Sequence, residues 1–518
     1  MIKMKTKYIQ LITLAITIMS MAACTDYLVV KPQGQVVLDD FWKSESDVDA
    51  VIATCYRELL SSGNIAKFIV WGEVRSDNLT NSFNISDEQK RILDGNILPN
   101  NSYTSWASLY TLINYCNSVL HYSPMVIDPN FTVAELNAKQ AEVLTLRALA
   151  YFYLVRVFRD VPLVLEPSLS DQQDYNVPQS TEDVVLDQLE TDLLKAEGWA
   201  MSTYGRKEYN KGRVTKATVR ALLADIYLWR NKYEQCISYC DKIIQDPLFE
   251  LIKADDQPYN KIFGSKNSTE SIFEIQYTLS SYTFNTTIFS FYGSDTRNQG
   301  NFTVPLFLAT DNTVFVNTPE ITDVRRKDYI KTKDASGFYP VFKYTGKLRT
   351  ENSIGNSEYY YRNSQNDSPN WIFYRLTDIM LMKAEALVQL SRENTNDQQK
   401  ALDVVNTVYL RSNPTIIDSL SLSSYQSKKE LEELVMVERQ RELMFEGKRW
   451  FDLLRMVRRE GKTDRLIRMV TRKSEENSSV LSSKLKDMNA LYWPVEENEL
   501  KANPKLKQNP FYETDLVQ

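Results

Sequence analysis

Histidine is almost absent from this chain of 518 residues, because His121 is the only one. A single histidine excludes metal sites built from several imidazoles, and a Ser/His/Asp triad would depend on that one residue. His121 follows an amphipathic stretch at residues 106–114, so we expect it to end a helix rather than to act as a base. The sequence therefore points to no catalytic residue and to no metal ion or cofactor.

Cysteine is scarce as well, and positive charge does not predominate. The chain has five cysteines, and its 61 Lys and Arg residues are outnumbered by 67 Asp and Glu residues. This acidic balance argues against nucleic acid as a partner. Cys236 and Cys240 have the i, i+4 spacing of helical metal ligands, but no other ligand accompanies them. We therefore expect Cys55, Cys116, Cys236 and Cys240 to be buried thiols.

The apolar run at the N-terminus, residues 9–21, is too short to span a bilayer. Lysines precede it and small residues lead from it to Cys24, which is the pattern of a secretory signal peptide at residues 1–23. The small residues also suit cleavage by signal peptidase II and acylation of Cys24. Residues 24–35 are interpreted as a short tether ahead of a single domain at residues 36–518. We expect a lipid anchor that holds the chain to a membrane without crossing it.

Helical periodicity dominates most of the chain, and residues 217–247 fit the tetratricopeptide pattern of two antiparallel helices. Four helix pairs are predicted: 41–60 with 105–122, 136–158 with 182–197, 217–247, and a degenerate copy at 378–411. Stacked pairs of this kind form a solenoid. The predicted fold is mainly α, a tetratricopeptide-like helical-repeat scaffold with repeats within about residues 38–247 and 371–412.

The helical pattern fades between residues 249 and 370, where Tyr, Phe, Asn, Ser, Thr and Gly dominate. Residues 272–277 alternate as a short strand, and we expect few others. Loops of this length inside a compact protein are usually functional or disordered, and the aromatic content argues against disorder. We therefore expect a loop-rich, irregular insertion with a functional role.

Charged side chains occupy the apolar face of a helix near the C-terminus. The stripe set by Leu431, Leu434 and Val435 continues onto three charged residues, Glu438, Arg441 and Glu442. A charge in a core position must be paired, so we expect an internal ion-pair network. A catalytic carboxylate pair is the alternative, but the arginines would keep both carboxylates ionised and leave no acid.

Three segments at residues 147–164, 438–455 and 491–512 read RALAYFYLVRVFRDVPLV, ERQRELMFEGKRWFDLLR and LYWPVEENELKANPKLKQNPFY. They resemble RAxxYFxLVRxFGDVPLV, ERxxELxFEGxRWFDLxR and LYPIPxxELxxNPxLxQNPGY of the SusD/RagB family of outer-membrane nutrient-binding lipoproteins. Arg159 and Phe511 stand where the family has glycine. Two of the segments lie in the C-terminal part, residues 431–518, and the resemblance extends over essentially the whole mature chain.

The resemblance implies a ligand site in loops, because residues 73–78 are similar to the family stretch E-x-x-S-D-N that leads into a variable binding loop. Aromatic faces stack on sugar rings, and planar polar groups pair with hydroxyls. Two clusters combine these groups: Trp71, Asp77, Asn78, Asn81 and Phe83, and Tyr282, Phe284, Phe291, Tyr292, Arg297 and Asn298. We expect Trp71, Phe83 and Tyr292 to be exposed. A role in packing the loops is the alternative for each residue.

The resemblance also implies the function. It predicts a cell-surface lipoprotein of the outer membrane that captures an oligosaccharide or similar nutrient and delivers it to a SusC-like TonB-dependent transporter. Peptide remains open as the ligand. Two alternatives stand beside this interpretation: a lipid-anchored glycoside hydrolase, which needs two carboxylates across a cleft, and a peptide-binding helical-repeat scaffold.

Overall fold

The chain is seen in a computed structural model. The described residues are 41–169, 173–253, 258–280, 283–294, 300–311, 314–315, 323–351, 357–360, 362–391, 396–416, 418–425, 427–473 and 478–516. Cys24 and the predicted signal peptide and tether lie outside these ranges. Among the described helices, none is long and apolar enough to cross a membrane.

Helices dominate the described part of the chain. The α-helices are α1 (Glu45–Leu60), α2 (Ser62–Ile69), α3 (Asp87–Leu93), α4 (Ala107–Tyr122), α5 (Val133–Phe158), α6 (Glu182–Trp199), α7 (Lys207–Gly212), α8 (Lys216–Trp229), α9 (Tyr233–Ile244), α10 (Pro258–Phe263), α11 (Thr287–Tyr292), α12 (Leu306–Thr310), α13 (Val324–Tyr329), α14 (Leu376–Leu390), α15 (Asn396–Ser412), α16 (Lys428–Leu443), α17 (Arg449–Glu460), α18 (Asp464–Val470), α19 (Ser478–Lys484) and α20 (Glu497–Ala502). A π-helical turn, Val70–Val74, continues α2. Short 3-10 helices are Ser102–Thr104, Ser123–Met125, Leu422–Ser424, Thr471–Lys473, Met488–Leu491 and Pro510–Leu516.

The strands are short and pair in antiparallel twos. They are β1 (Thr80–Asn81), β2 (Val161–Pro162), β3 (Gln179–Ser180), β4 (Ser271–Ile275), β5 (Phe302–Thr303), β6 (Leu348–Glu351), β7 (Ser357–Tyr360) and β8 (Trp371–Arg375). The pairs are β1 with β5, β2 with β3, β4 with β8, and β6 with β7. The predicted strand at 272–277 is confirmed as β4, which begins one residue earlier and ends two residues earlier.

Several of the longer helices begin at capping boxes that the local sequence encodes. At the start of α5, the Glu135 carboxylate accepts the backbone N–H of Thr132 at 2.8 Å, and Thr132 Oγ1 accepts the N–H of Glu135 at 3.3 Å. The same arrangement at Thr215 and Ser427 begins α8 and α16. Each box satisfies backbone donors that the first helical turn leaves unpaired, so the start of the helix is fixed locally.

The four predicted helix pairs are confirmed: α1 packs on α4, α5 on α6, α8 on α9, and α14 on α15. Contacts between α4 and α5, α6 and α8, and α9 and α14 join each pair to the next. Helix α5 lies at the centre of this scaffold, since every residue from Gln140 to Phe158 is buried. Ala224 is fully buried on α8, where a small side chain lets the neighbouring helices approach.

The second repeat region, predicted from about residue 371, does not begin with a helix. Residues 371–375 form the buried strand β8, which pairs with β4 of the loop-rich region. The consecutive aromatic and β-branched residues of this segment favour a buried strand, and α14 starts at Leu376. The β4/β8 pair thereby connects the loop-rich insertion to the helical scaffold.

The described cysteines are buried and the single histidine lies at the end of a helix, as predicted. Cys55 and Cys116 are buried with their sulfur atoms 3.8 Å apart, and Cys236 and Cys240 are buried with theirs 4.0 Å apart. His121 lies in the last turn of α4. Its imidazole Nδ1 is 4.0 Å from the Glu166 carboxylate.

The charged segment near the C-terminus is two helices rather than one. Helix α16 ends at Leu443 and α17 begins at Arg449, because Phe445 and Gly447 both adopt a positive φ, each 69°. Gly447 also faces Gly72, where an added Cβ would lie 1.8 Å from the Gly447 carbonyl oxygen. This close approach brings the turn between α16 and α17 against the π-helical turn.

The predicted ion-pair network on α16 is confirmed, and Glu442 lies at its centre. Arg375 Nη1 donates to the Glu442 carboxylate at 2.6 Å and Arg325 Nη1 at 3.1 Å, and Arg411 Nη2 donates as well. Burial alone would raise the pKa of Glu442, but these three guanidinium groups hold it well below its usual range. The carboxylate is thus ionised and cannot serve as a catalytic acid.

Glu438 and Arg441 complete this side of the helix. Arg325 Nη1 donates to the buried Glu438 carboxylate at 2.6 Å, and Arg441 Nη1 donates to it at 3.1 Å. Arg441 also donates to the carbonyl of Val314. The network therefore joins α16 to segments of the loop-rich insertion.

The neighbouring face of α16, at Arg439, carries a second set of buried ion pairs. Arg439 donates to Asp452 of α17 at 2.8 Å and lies 3.2 Å from Asp378 of α14. Arg455 bridges Glu385 of α14, at 2.6 Å, and Asp452, at 2.8 Å. The charged side chains of residues 438–455 therefore connect the helical scaffold to the loop-rich insertion.

Candidate functional site

The structure brings the two predicted loop clusters together through strand β5. Strand β1 pairs with β5, with Thr80 opposite Thr303 and Asn81 opposite Phe302. Ser82 Oγ donates to the carbonyl of Gly300, which extends this contact by one residue. Helix α11 of the second cluster lies behind β5. The position of residues 80–82 is therefore fixed by their pairing with the segment at residues 300–303.

A hairpin at residues 330–341 adds two further extended segments beside β5. Val304 is bridged to Tyr339, and Ile330 is bridged to Val341. The hairpin turn is held by the Asp334 carboxylate, which accepts the backbone N–H groups of Ser336 and Phe338, each at 2.9 Å. Gly337 supplies the positive φ, 91°, that this turn requires. We refer to β1, β5 and this hairpin as the loop ladder.

Phe83 and Phe338 meet at the end of the loop ladder and form what we call the aromatic rim. Their rings are 4.7 Å apart between centroids at an interplanar angle of 88°. Phe83 is 74% exposed and Phe338 is partly exposed. Asn81 is exposed on the same segment. The predicted exposure of Phe83 is confirmed, and the rim combines an aromatic face with an amide.

A cleft of about 500 Å³ opens beside the rim, and we call it the basic cleft. Among the side chains that line it are Asp323, Arg326, Lys327, Lys331, Lys333 and Tyr339. Tyr339 directly follows Phe338 in the hairpin, so the cleft and the rim share one backbone segment. Arg326 Nη2 donates to the carbonyl of Ala309, which holds the guanidinium against the cleft wall.

The expectation that Trp71 is exposed is wrong. Trp71 lies in the π-helical turn with no exposed surface, its indole N–H donates to the Tyr103 carbonyl at 3.0 Å, and its ring packs edge-on to Phe158. The resemblance predicts a binding loop here, whereas the segment continues α2 into the core as a π-helical turn.

Asp77 and Asn78 are also buried and are held by internal partners. Arg449 Nε donates to Asp77 at 2.8 Å, and Gln440 Nε2 donates to Asn78 Oδ1 at 2.8 Å. Burial by itself would raise the pKa of Asp77, but the Arg449 guanidinium lowers it below its usual value. These groups connect the segment 73–78 to α16 and α17, so their immediate role is structural.

Glu73, at the start of that segment, is a buried carboxylate that neutral groups hold by hydrogen bonds. It accepts the side-chain amide of Asn78 at 2.7 Å and the backbone N–H of Phe445 at 2.7 Å. Burial raises its pKa to about 7 in spite of these hydrogen bonds. Because Glu73 has no exposed surface, it is not placed to meet a ligand.

The described residues of the second cluster are buried or half-buried rather than exposed. Phe291 is buried and packs edge-on to Phe302 of β5 at 5.4 Å. Tyr292 is fully buried, so its expected exposure is also wrong, and its hydroxyl donates to the Phe445 carbonyl at 2.9 Å. Phe284 is half-buried. Three other predicted residues, Tyr282, Arg297 and Asn298, lie outside the described residues.

Sequence reasoning missed Phe338 and the basic cleft. The signal was present in Asp334-Ala335-Ser336-Gly337, which is typical of a turn and is followed by two aromatics. A turn flanked by Phe338 and Tyr339 predicts exposed aromatics at a hairpin end. Nothing in the local pattern indicates that this hairpin lies beside β1, more than 200 residues away in the sequence.

Two family models match most of this chain. One, described as "SusD family", matches residues 269–512, and the other, described as "Starch-binding associating with outer membrane", matches residues 26–228. Together they cover most of the chain. This chain belongs to the SusD/RagB family. The predicted family is therefore confirmed, and so is the mainly helical SusD fold.

Individual relatives can be aligned with, or superposed on, nearly the full length of this chain. SusD-like protein P38 of Formosa agariphila is 26% identical over 532 residues, which cover 95% of this chain and 96% of the relative. A SusD superfamily protein from Bacteroides vulgatus superposes with a TM-score of 0.73 at 18% identity, covering 91% of this chain and 100% of that chain. A structure described as a laminarin binding SusD-like protein has a TM-score of 0.66 at 22% identity, covering 90% and 100%. The structural likenesses show the fold.

Proposed function

We propose that this SusD-like protein is a lipid-anchored lipoprotein on the cell surface that captures an oligosaccharide and delivers it to a SusC-like TonB-dependent transporter of the outer membrane. The observation that supports capture is the aromatic rim, in which the exposed Phe83 packs against the partly exposed Phe338 on the hydrogen-bonded loop ladder. The transporter partner and the outward orientation follow from the family resemblance. The laminarin-binding neighbour and the starch-binding description of the matching model agree with a glycan ligand.

The rim has the geometry that sugar binding needs. A pyranose ring presents an apolar face, which stacks on an exposed aromatic ring, while its hydroxyls pair with nearby amides. Phe83 offers the ring and Asn81 the amide on the same short segment. Because β1 is paired with β5, the position of Phe83 is set before a ligand arrives, and less ordering entropy is lost on binding.

The composition of the basic cleft supports binding of a glycan rather than its hydrolysis. Glycoside hydrolysis uses two carboxyl groups on either side of the scissile bond. Among the described residues that line the basic cleft, Asp323 is the only carboxylate, and Arg325 donates to it from Nε at 2.9 Å and from Nη2 at 2.6 Å. Both oxygens of this carboxylate are thereby occupied by the Arg325 guanidinium, so the described lining does not supply the two carboxyl groups that hydrolysis uses.

Replacing Phe83 by alanine is expected to weaken glycan binding. Losing one stacked aromatic should lower the affinity about five- to a hundredfold, which corresponds to roughly 1 to 3 kcal/mol by analogy with base stacking. The measurement is native affinity electrophoresis of the purified mature protein in gels that contain laminarin, starch, xylan, polygalacturonate or carrageenan. The polysaccharide that retards the native protein is then used for the variant.

Ile127→Ala is the matched control, because Ile127 is 93% exposed in the loop between α4 and α5, away from the rim. It should bind like the native protein. Equal retardation of the native protein and of Phe83→Ala would move the site away from the rim. A native protein that none of the five polysaccharides retards would contradict glycan capture.

The lipid anchor has its own test. Cys24→Ala should remove the acylation site and release the protein from the outer-membrane fraction into the soluble fraction, because no other membrane attachment is predicted from the N-terminal segment. The distribution is measured by fractionation and immunoblotting. A variant that still sediments with outer membranes would refute the anchor.

A further inference from the structure

The basic cleft has a charge unlike that of the whole chain. The protein carries a formal net charge of −6, yet four of the side chains that line this cleft are cationic: Arg326, Lys327, Lys331 and Lys333. The lining carboxylate, Asp323, is already engaged by the buried Arg325 guanidinium. The cleft is therefore a local region of positive potential on an acidic protein.

The neighbouring acidic side chains are also engaged elsewhere. The Asp334 carboxylate caps the hairpin turn through two backbone N–H groups, and Asp311 lies 3.3 Å from the Arg472 guanidinium. Like charges that line one cleft repel each other, and an anion that enters the cleft relieves this repulsion. The excess of cations favours a negatively charged ligand.

Arg326 gives this charge a fixed direction. Its guanidinium is half-buried and is held by the hydrogen bond from Nη2 to the Ala309 carbonyl, whereas Lys327 and Lys333 are exposed and adjustable. A planar guanidinium pairs with the oxygens of a carboxylate or sulfate in a defined orientation, and lysine ammonium groups add charge at variable positions.

Phe338 of the rim and Tyr339 of the basic cleft are consecutive residues, so their Cα atoms lie about 3.8 Å apart and an oligosaccharide of several units has the length to reach both. We infer that the ligand of this site is an acidic oligosaccharide, which carries carboxylate or sulfate groups into the basic cleft while a sugar ring stacks on the aromatic rim. This inference rests on the proposed function, since it names the class of glycan that is captured.

The test uses Lys327→Gln together with Lys333→Gln, two exposed positions whose replacement leaves the buried networks intact. The control is Lys207→Gln together with Lys486→Gln, which removes the same charge from exposed positions at the start of α7 and after α19, outside the lining of the basic cleft. Affinity electrophoresis compares polygalacturonate, which carries carboxylates, and carrageenan, which carries sulfate esters, with the neutral laminarin, starch and xylan. Melting temperatures check that both variants fold like the native protein.

The native protein is expected to be retarded by an acidic polysaccharide, and polygalacturonate or carrageenan identifies which anion is bound. The Lys327/Lys333 variant should lose about two- to thirtyfold in affinity, as expected for two partly exposed ion pairs, and the control variant should not. Raising the salt concentration should weaken binding in parallel, because exposed charges are screened.

Retardation by neutral polysaccharides alone would overturn the acidic ligand and leave the proposed glycan capture intact. Retardation by none of the five would overturn both. An equal loss in the control variant would show that overall charge, and not the basic cleft, attracts the polysaccharide, and would also overturn the inference.

Discussion

Replacing Arg375 by methionine is expected to lower the free energy of unfolding by about 3 to 5 kcal/mol. The Arg375 guanidinium is fully buried and donates to Glu442 at 2.6 Å and to Glu446 at 2.7 and 2.9 Å. Methionine fills much of the same volume but leaves both carboxylates short of a cation. The measurement is urea unfolding of the native and variant proteins.

Glu446 should suffer most from this change. Glu442 would keep Arg411 and Arg325, whereas Glu446 would keep only Lys343 among the cationic partners in the described part of the chain. Burial would raise the pKa of Glu446, and Arg375 together with Lys343 lowers it. Adding Glu446→Gln to Arg375→Met should therefore recover part of the lost stability, and the double-mutant cycle measures this coupling.

Lys90→Met is the matched control, since it breaks an ion pair on the surface. Lys90 Nζ lies 3.2 Å from the Asp94 carboxylate, but the lysine side chain is 51% exposed. Its loss should change stability by no more than about 0.5 kcal/mol. An equally small effect of Arg375→Met would contradict the buried network.

The sequence predicted that Glu438, Arg441 and Glu442 are buried and paired, because helical periodicity is a local property. It could not identify the main partners, Arg325 and Arg375, since these come from the short helix α13 and the strand β8, whose positions depend on long-range packing. The consequence is specific for Arg441. Because Glu438 retains Arg325 at 2.6 Å, the loss of Arg441 leaves that carboxylate paired and should cost less than the loss of Arg375.

The helix pairs and the site differ in how far they can be predicted, for the same reason. A helix pair consists of neighbouring segments with their own caps and apolar stripes, so local pattern suffices. The rim joins Phe83 to Phe338, and only the loop ladder brings these residues together. The sequence therefore predicts the exposed segment that carries Phe83 but does not predict Phe338 as its partner.

The strongest family motif is informative about fold and not about ligand. Residues 438–455 place their charged side chains in buried pairs with α14, α15 and segments of the insertion, and the turn between α16 and α17 contacts the π-helical turn. A motif with this structural role identifies the scaffold. Under the proposed function, ligand choice depends on the loops that the scaffold positions, those of the rim and the basic cleft.

Trp71→Ala is expected to lower the free energy of unfolding by about 3 to 5 kcal/mol, the range for truncating a large buried aromatic. Trp71 has no exposed surface, and its removal leaves a cavity beside Phe158 and an unpaired carbonyl at Tyr103. Urea unfolding measures the loss. Phe83→Ala is the comparison, because an aromatic that is 74% exposed should change stability by no more than about 0.5 kcal/mol.

The two variants separate the interpretations of Trp71 that sequence alone left open. If Trp71 packs the core, Trp71→Ala lowers stability while the protein that remains folded binds the glycan like the native protein, and Phe83→Ala does the reverse. If Trp71 contacts the ligand, Trp71→Ala weakens binding at unchanged stability. The second result would contradict the burial of the π-helical turn and would return Trp71 to the binding site. We expect the first result, because Trp71 has no exposed surface and its indole N–H already donates to the Tyr103 carbonyl inside the protein.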